Sequence, residues 1–157
     1  MPSTHKKVIV RKLDRDSLHG HVGTQFLVDG KLELINTSGN VVGIELSDIK
    51  GVYFVRDFND SESPLRKTFS GRPRTDGIWV RLQFRDNDLI EGMMPNDLMQ
   101  SMPEGFYIIP PDTRSNTQRI FVPRTALLSA TVLGVIGGPV SRKKKAEDAR
   151  QVAMFGE

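Results

Sequence analysis

The chain has 157 residues, 38% hydrophobic and 26% charged, a balance that fits one medium globular domain or two small ones. It contains no cysteine, which excludes disulfides, thiolate metal sites and cysteine nucleophiles. The formal net charge is +3 and the pI is about 9.3, so strong attraction to an anionic partner would have to come from local clusters of positive residues.

The first part of the chain, residues 7–58, predicts a compact all-β module. Asp29-Gly30 has the composition of a hairpin turn, and Gly20 and Gly23 indicate a bend or bulge within a strand. Short, bent strands at this density favour a small five-stranded barrel, whose closure removes exposed edges. Apolar and β-branched runs place the strands at 7–13, 18–28, 31–35, 41–46 and 51–58.

A basic flexible linker is predicted over residues 59–76, where Ser, Pro, Gly, Arg and Asp dominate. Residues 77–134 then predict a second small five-stranded barrel. Its strands are expected at 78–84, 89–94, 105–109, 118–122 and 126–133. The sequence therefore predicts two barrels joined by a linker.

The remaining residues, 135–157, predict a tail with a short helix. Gly137-Gly138-Pro139 breaks regular structure, and Ser141 can cap a helix over 142–155 that Gly156 ends. The longest apolar stretch, 126–140, is too short and too interrupted to span a bilayer. The N-terminus is followed by a strand-like run and not by a signal-peptide core. We therefore expect a soluble cytoplasmic protein with no membrane association.

An internal repeat organises these elements. The segment 10–20, VRKLDRDSLHG, reads like the segment 80–92, VRLQFRDNDLIEG, at an offset that starts near 70 residues. Tandem copies can bury against each other the surface that single copies would bury in a homo-oligomer. We therefore predict that the two barrels pack as a pseudo-dimer.

Two family resemblances follow from these segments. The strand–turn–strand segment 80–92 resembles the opening hairpin of Sm-like barrels, which implies the fold. The Asp and Asn that Sm proteins place around an RNA base have no counterpart, so that site is not implied. Across residues 8–134, GVYFVRDF (51–58), GFYIIPPDTRSN (105–116) and RIFV (119–122) resemble an uncharacterised bacterial domain family. That family reads VFFVRDF, GFFLVPADPRSNN and RVFV. It is similar to modules found alone or appended to PilZ-type and other signalling domains, and it implies no assigned activity.

Candidate catalytic and metal-binding residues favour structural roles. His19 and His21 share one face of a strand and could form a two-point metal site, but no third ligand is evident. Paired carboxylates need a shared pocket for acid–base chemistry, whereas aspartates in turns bond their own backbone. We therefore favour a structural role in turns for four aspartates: Asp14, Asp16, Asp86 and Asp88.

A weaker resemblance concerns cyclic di-GMP. Arg11 and Arg15 form R-x-x-x-R, and Asn36-Thr37-Ser38 follows, an arrangement that resembles the PilZ signature. Val41 stands where that signature requires glycine, and the arginines fall on a strand and not on a free arm, so nucleotide binding is disfavoured.

The candidate binding residues are mainly positive. The linker charges with Phe69 among them could neutralise phosphates and stack on bases, or could belong to a solvated connector. Arg56, Arg114 and Asn116 could form a recognition surface, or could close a barrel and a hairpin turn. The charged clusters are Arg66, Lys67, Arg72 and Arg74 in the linker, and Arg142, Lys143, Lys144 and Lys145 in the tail.

Three functional hypotheses follow. The first is a non-enzymatic adaptor that binds a protein partner, or further copies of itself, through strand edges or the C-terminal tail. The second is an RNA- or DNA-binding protein that uses the basic linker and tail. The third, an enzyme, is least favoured, because the chain has no cysteine and no Gly-rich phosphate loop. No cofactor is expected.

Overall fold

The protein is all-β in a computed structural model that describes residues 5–58, 66–100, 103–112 and 115–137. The strands are β1 (Lys6–Lys12), β2 (Ser17–Val22), β3 (Leu27–Val28), β4 (Lys31–Asn36), β5 (Val41–Glu45), β6 (Ile49–Val55), β7 (Gly77–Phe84), β8 (Leu89–Met94), β9 (Gly105–Ile108), β10 (Thr117–Pro123) and β11 (Leu127–Ile136). Short 3-10 helices lie at Leu46–Asp48, Leu98–Gln100 and Arg124–Ala126. The predicted helix over 142–155 lies outside the described residues.

The strands form two antiparallel sheets. The larger sheet has the order β3-β4-β2-β1-β6-β10-β9, with β5 on the other edge of β4, and the smaller has the order β11-β7-β8. A single bridge between Met93 and Ile109 connects β8 to β9. Because β6 pairs with β10, one hydrogen-bonded sheet contains strands from both predicted modules.

The strand pairings follow the same order in the two halves of the chain. In the first half β1 pairs with β2, β2 with β4, β4 with β5, and β6 returns to β1. In the second half β7 pairs with β8, β8 bridges to β9, β9 pairs with β10, and β11 returns to β7. A 3-10 helix precedes the returning strand in each half.

The first hairpin turn of each half is closed by the same contacts. The amide of Lys12 donates to the carbonyl of Asp16 at 2.8 Å, and the amide of Phe84 donates to the carbonyl of Asp88 at 2.9 Å. Arg15 and Asn87 occupy the left-handed region with φ of 72° and 68°. These are turns whose aspartates bond the local backbone, as the sequence predicted for all four carboxylates.

Two hydrophobic cores fill the fold, and each takes residues from both halves of the chain. Phe121 of β10 is fully buried in the core that the first half builds. Tyr53 and Val55 of β6 are buried in the core of the second half. The β6–β10 pairing therefore joins the halves through side-chain packing as well as through backbone hydrogen bonds. We call this contact the strand junction.

The described residues form no closed barrel, so the predicted pair of closed barrels is not confirmed. The halves do not close into barrels because two of the strand pairings that closure needs are very short. β2 and β4 share only the pairs Gly20–Asn36 and His21–Ile35, and one bridge joins β8 to β9. The 3-10 helices at Leu46–Asp48 and Arg124–Ala126 follow β5 and β10, and neither of these strands pairs with the strand that comes after it.

Candidate functional site

The side chain of Asn116 stabilises one end of the strand junction by hydrogen bonds. Its side-chain Oδ1 accepts hydrogen bonds from the amides of Arg56 at 3.1 Å and Asp57 at 2.9 Å, and its Nδ2 donates to the carbonyl of Asp57 at 2.7 Å. The sequence offered Asn116 as a recognition residue, but its polar atoms bind the neighbouring backbone. Arg56 itself is exposed at the end of β6.

A charge network spans the other end of the junction. Lys50 Nζ lies 2.8 Å from Asp86 Oδ2 and 2.8 Å from Asp88 Oδ2, and Lys67 Nζ lies 2.7 Å from Asp88 Oδ1. The Lys50 side chain is only 14% exposed, and the Lys67 side chain is 57% exposed. This network ties the first half of the chain to the first turn of the second half.

The network shifts the pKa values of Lys50, Asp86 and Asp88. Burial opposes the charge on Lys50, but hydrogen bonds and charges from Asp86 and Asp88 outweigh burial and raise its pKa. Burial likewise opposes the charge on Asp86 and Asp88, but hydrogen bonds from Lys50, and from Lys67 to Asp88, hold both pKa values below the ordinary value. The network is therefore ionised at neutral pH and stabilises the junction.

The predicted linker is attached to β8 over part of its length. The amide of Glu91 donates to the carbonyl of Lys67 at 2.6 Å. The buried Glu91 carboxylate accepts from the Trp79 indole at 3.1 Å and from the Phe69 amide at 3.3 Å, and it pairs with Arg81 at 3.4 Å. Glu91 was missed at the sequence level, although a lone carboxylate in the apolar strand LIEGMM is a signal that could have identified it.

These contacts occupy two of the residues proposed for nucleic-acid binding. Lys67 pairs with Asp88, and Phe69 is half-buried with its ring 6.1 Å from the Trp79 ring. Arg66, Arg72 and Arg74 are exposed. Arg114 and the tail residues Arg142, Lys143, Lys144 and Lys145 lie outside the described residues.

A cation–aromatic cluster and a cavity share Tyr107 beside the junction. The Arg119 guanidinium lies 4.4 Å from the ring centres of Phe54 and Tyr107. A neighbouring cavity of about 480 Å³ is lined by Thr24, Gln25, Phe26, Leu27, Glu104 and Tyr107. In the described part of the chain, every buried side-chain nitrogen and oxygen has a hydrogen-bond partner, so the cavity presents no unpaired buried polar side chain to a ligand.

The histidine pair contacts an aromatic ring. His19 and His21 pack edge-on against Phe58 at centroid distances of 5.7 and 5.5 Å. Nowhere in the described ranges do three His, Cys, Asp or Glu side chains come together as metal ligands would. Those ranges also hold no helix with the length and apolarity needed to cross a membrane.

Besides the two-residue strand β3, two strands of the described chain have an edge that carries no neighbouring strand. Within the described residues β5 pairs only with β4, and β11 pairs only with β7. Large apolar side chains are exposed on both strands, namely Val41 on β5 and Leu128, Val132 and Val135 on β11. Unpaired edges with exposed apolar residues are sites where a further strand can add. They are the best candidate binding surfaces in the described residues.

Residues 4–134 match the family of unknown function DUF6982. The chain belongs to this family. The match covers most of the chain, and it confirms the predicted membership of an uncharacterised domain family. Neither the curated proteins nor the solved structures gave a match to the chain.

Proposed function

We propose that this DUF6982 protein is a non-enzymatic interaction module of the cytoplasm. In this proposal it consists of two tandem copies of one Sm-like β unit, packed as a pseudo-dimer, and it binds protein by strand addition at the free edge of β11. The single observation that carries the proposal is that edge, where Leu128, Val132 and Val135 are exposed on a ten-residue strand. No cofactor is part of the proposed function.

The duplication is supported by a constant register offset. Val8 pairs with Gly20 in the first hairpin, and Val80 pairs with Gly92 in the second, 72 positions later at both partners. The same hydrogen bond precedes both returning strands, because the amide of Leu46 donates to Gly30 at 3.0 Å and that of Arg124 to Glu104 at 3.0 Å. Such detailed agreement favours two copies of one unit.

Strand addition is supported by the junction itself. There β6, the returning strand of the first half, receives β10 as an antiparallel neighbour. β11 is the returning strand of the second half and has the same position relative to β7 that β6 has relative to β1. Because β6 pairs with an additional strand within the chain, we expect the corresponding strand β11 to be able to pair with a strand from a partner.

Nucleic-acid binding is the second candidate, and the exposure of Arg66, Arg72 and Arg74 favours it. It is weakened by the pairing of Lys67 with Asp88 and by the packing of Phe69 against Trp79. Replacing the three arginines by glutamine should abolish a salt-dependent gel shift if this candidate is correct. A shift that survives the replacement would exclude the linker as the contact.

Affinity capture tests the adaptor proposal. Tagged wild-type, Val132→Lys and Val28→Lys proteins are compared with and without nuclease; Val28 is an exposed strand valine away from β11 and serves as the matched control. We expect a protein that cross-links to β11 to be captured by wild type and control and lost with Val132→Lys. Equal capture by all three proteins would refute binding at β11.

A further inference from the structure

The residue pairs of the strand junction can be compared with the corresponding residues on the free edges of β11 and β5. In the junction Phe54 of β6 lies opposite Arg119 of β10, Tyr53 opposite Ile120, and Val52 opposite Phe121. The corresponding residues of the other half follow from the strand registers. They are Val132, Thr131 and Ala130 on β11, and Val41, Val42 and Gly43 on β5.

Burial at these corresponding positions differs sharply. Val52, Tyr53 and Phe54 are 0%, 7% and 4% exposed; Val52 and Phe54 share the first core with Phe121 of β10, and Tyr53 lies in the second core. On β11, Ala130 and Thr131 are exposed, and Val132 is 60% exposed. On β5, Val41 is 66% exposed. Each free edge therefore shows apolar surface at positions that a junction-like contact would bury.

We infer that the occupant of the β11 edge is β5 of a second copy of this chain. The two strands would pair antiparallel, with Val132 opposite Val41, Thr131 opposite Val42 and Ala130 opposite Gly43. This inference rests on the proposed strand addition at β11 and names its partner. It continues between copies the contact that β6 and β10 make within one chain.

The contact is heterologous, because it joins two different edges of the chain. Each copy that offers β11 to one neighbour still offers β5 to another. Heterologous contacts close into rings when the rotation allows it and otherwise extend as filaments. The proposal therefore predicts assemblies that grow by addition of whole chains, and it predicts that blocking either edge stops growth.

Two edge variants test this with purified full-length protein. Val132→Lys blocks only β11 and Val41→Lys blocks only β5, because each places a charge where the contact would bury an apolar side chain. Sedimentation velocity should show concentration-dependent assembly of wild type and of the control Val28→Lys. Each edge variant alone should raise the apparent dissociation constant by about tenfold or more. Mixing the two variants should give a 1:1 dimer that grows no further, because only one intact β11 and one intact β5 can meet.

Any one of the following results would overturn the inference. The first is wild-type protein that stays monomeric at all concentrations. If the β11 amides of that monomer are protected from hydrogen exchange, the β11 edge is covered by residues 138–157 of the same chain. A mixture without heterodimer would exclude β11–β5 pairing. Assembly blocked by Val132→Lys but not by Val41→Lys would mean that β11 meets another surface. A monomer that still captures a protein through β11 would refute this inference and leave the proposed function standing.

Discussion

Replacing Lys50 with methionine should destabilise the protein far more than an exposed lysine usually does. Methionine keeps an unbranched side chain one atom shorter than lysine, but it removes the charge that lies between Asp86 and Asp88 and 5.1 Å from the Phe84 ring centre. Hydrogen bonds to charged groups contribute about 1.5–3 kcal/mol each, and two that share one donor are not additive. We expect Lys50→Met to lower the free energy of unfolding by about 2–4 kcal/mol.

The pH dependence of this loss follows from the pKa directions. The pKa values of Asp86 and Asp88 are lowered in the folded state, so their stabilisation is complete above the unfolded value of about 4 and is lost as pH falls through the folded values. The pKa of Lys50 is raised, so its contribution is complete below about 10.4 and is lost as pH rises through the folded value. The difference between wild type and variant should therefore be largest between about pH 5 and about pH 10.

Urea unfolding followed by fluorescence of Trp79, the single tryptophan, measures this difference. Lys67→Met is the matched control, because Lys67 binds the same Asp88 with a side chain that is 57% exposed and should contribute less than about 1 kcal/mol. Equal losses for the two variants would refute the view that burial makes Lys50 dominant. A wild-type advantage that stayed constant down to about pH 2 would refute the carboxylate linkage.

Further substitutions test the junction and the strand contacts, with thermal or urea unfolding as the measurement. Asn116→Ala removes three hydrogen bonds between the residue before β10 and the two residues after β6, and it should cost about 1–3 kcal/mol; an unchanged midpoint would show that water replaces them. Gly20→Ala brings a Cβ into a clash with the carbonyl oxygen of Ile35 and should cost about 1–3 kcal/mol, whereas Gly71→Ala, with nothing within 4 Å, should be nearly neutral. Arg119→Ala should cost about 1 kcal/mol by removing the cation from two rings, and Arg119→Lys should restore only part of that loss.

The strands were largely predictable because their signals are local. Alternation and turn chemistry place Lys31–Asn36 and Leu89–Met94 within a residue of their predicted bounds. The predicted strand over 18–28 is instead divided into β2 and β3, because residues 23–26 leave the extended ladder between them. Pairing across the junction was beyond local signals, since no alternation specifies which of two edges β10 adds to.

The binding residues were harder to predict because the sequence does not show which acidic residues pair with the basic ones in the folded chain. Lys67 looked like part of a free basic cluster, yet Asp88, 21 positions away, lies against it once β7 and β8 form a hairpin. Lys50 was overlooked because its partners belong to the other half of the chain. The exposed apolar residues of β11 look like an ordinary core strand in the sequence. Only the sheet order shows that nothing in the described residues pairs with its outer edge.

The β6–β10 junction within one chain and the proposed β11–β5 contact between copies should differ in strength. At the strand junction the residue skipped by the β1–β6 register is Lys50, which meets the Asp86–Asp88 turn. The β7–β11 register skips Leu128 and Leu133, of which Leu128 corresponds to Lys50, so a contact between copies would have no cation at that point. Such a contact also costs translational and rotational freedom that the covalently linked halves do not lose. The junction should therefore persist at any dilution, whereas assembly through β11 and β5 should depend on concentration and respond little to salt.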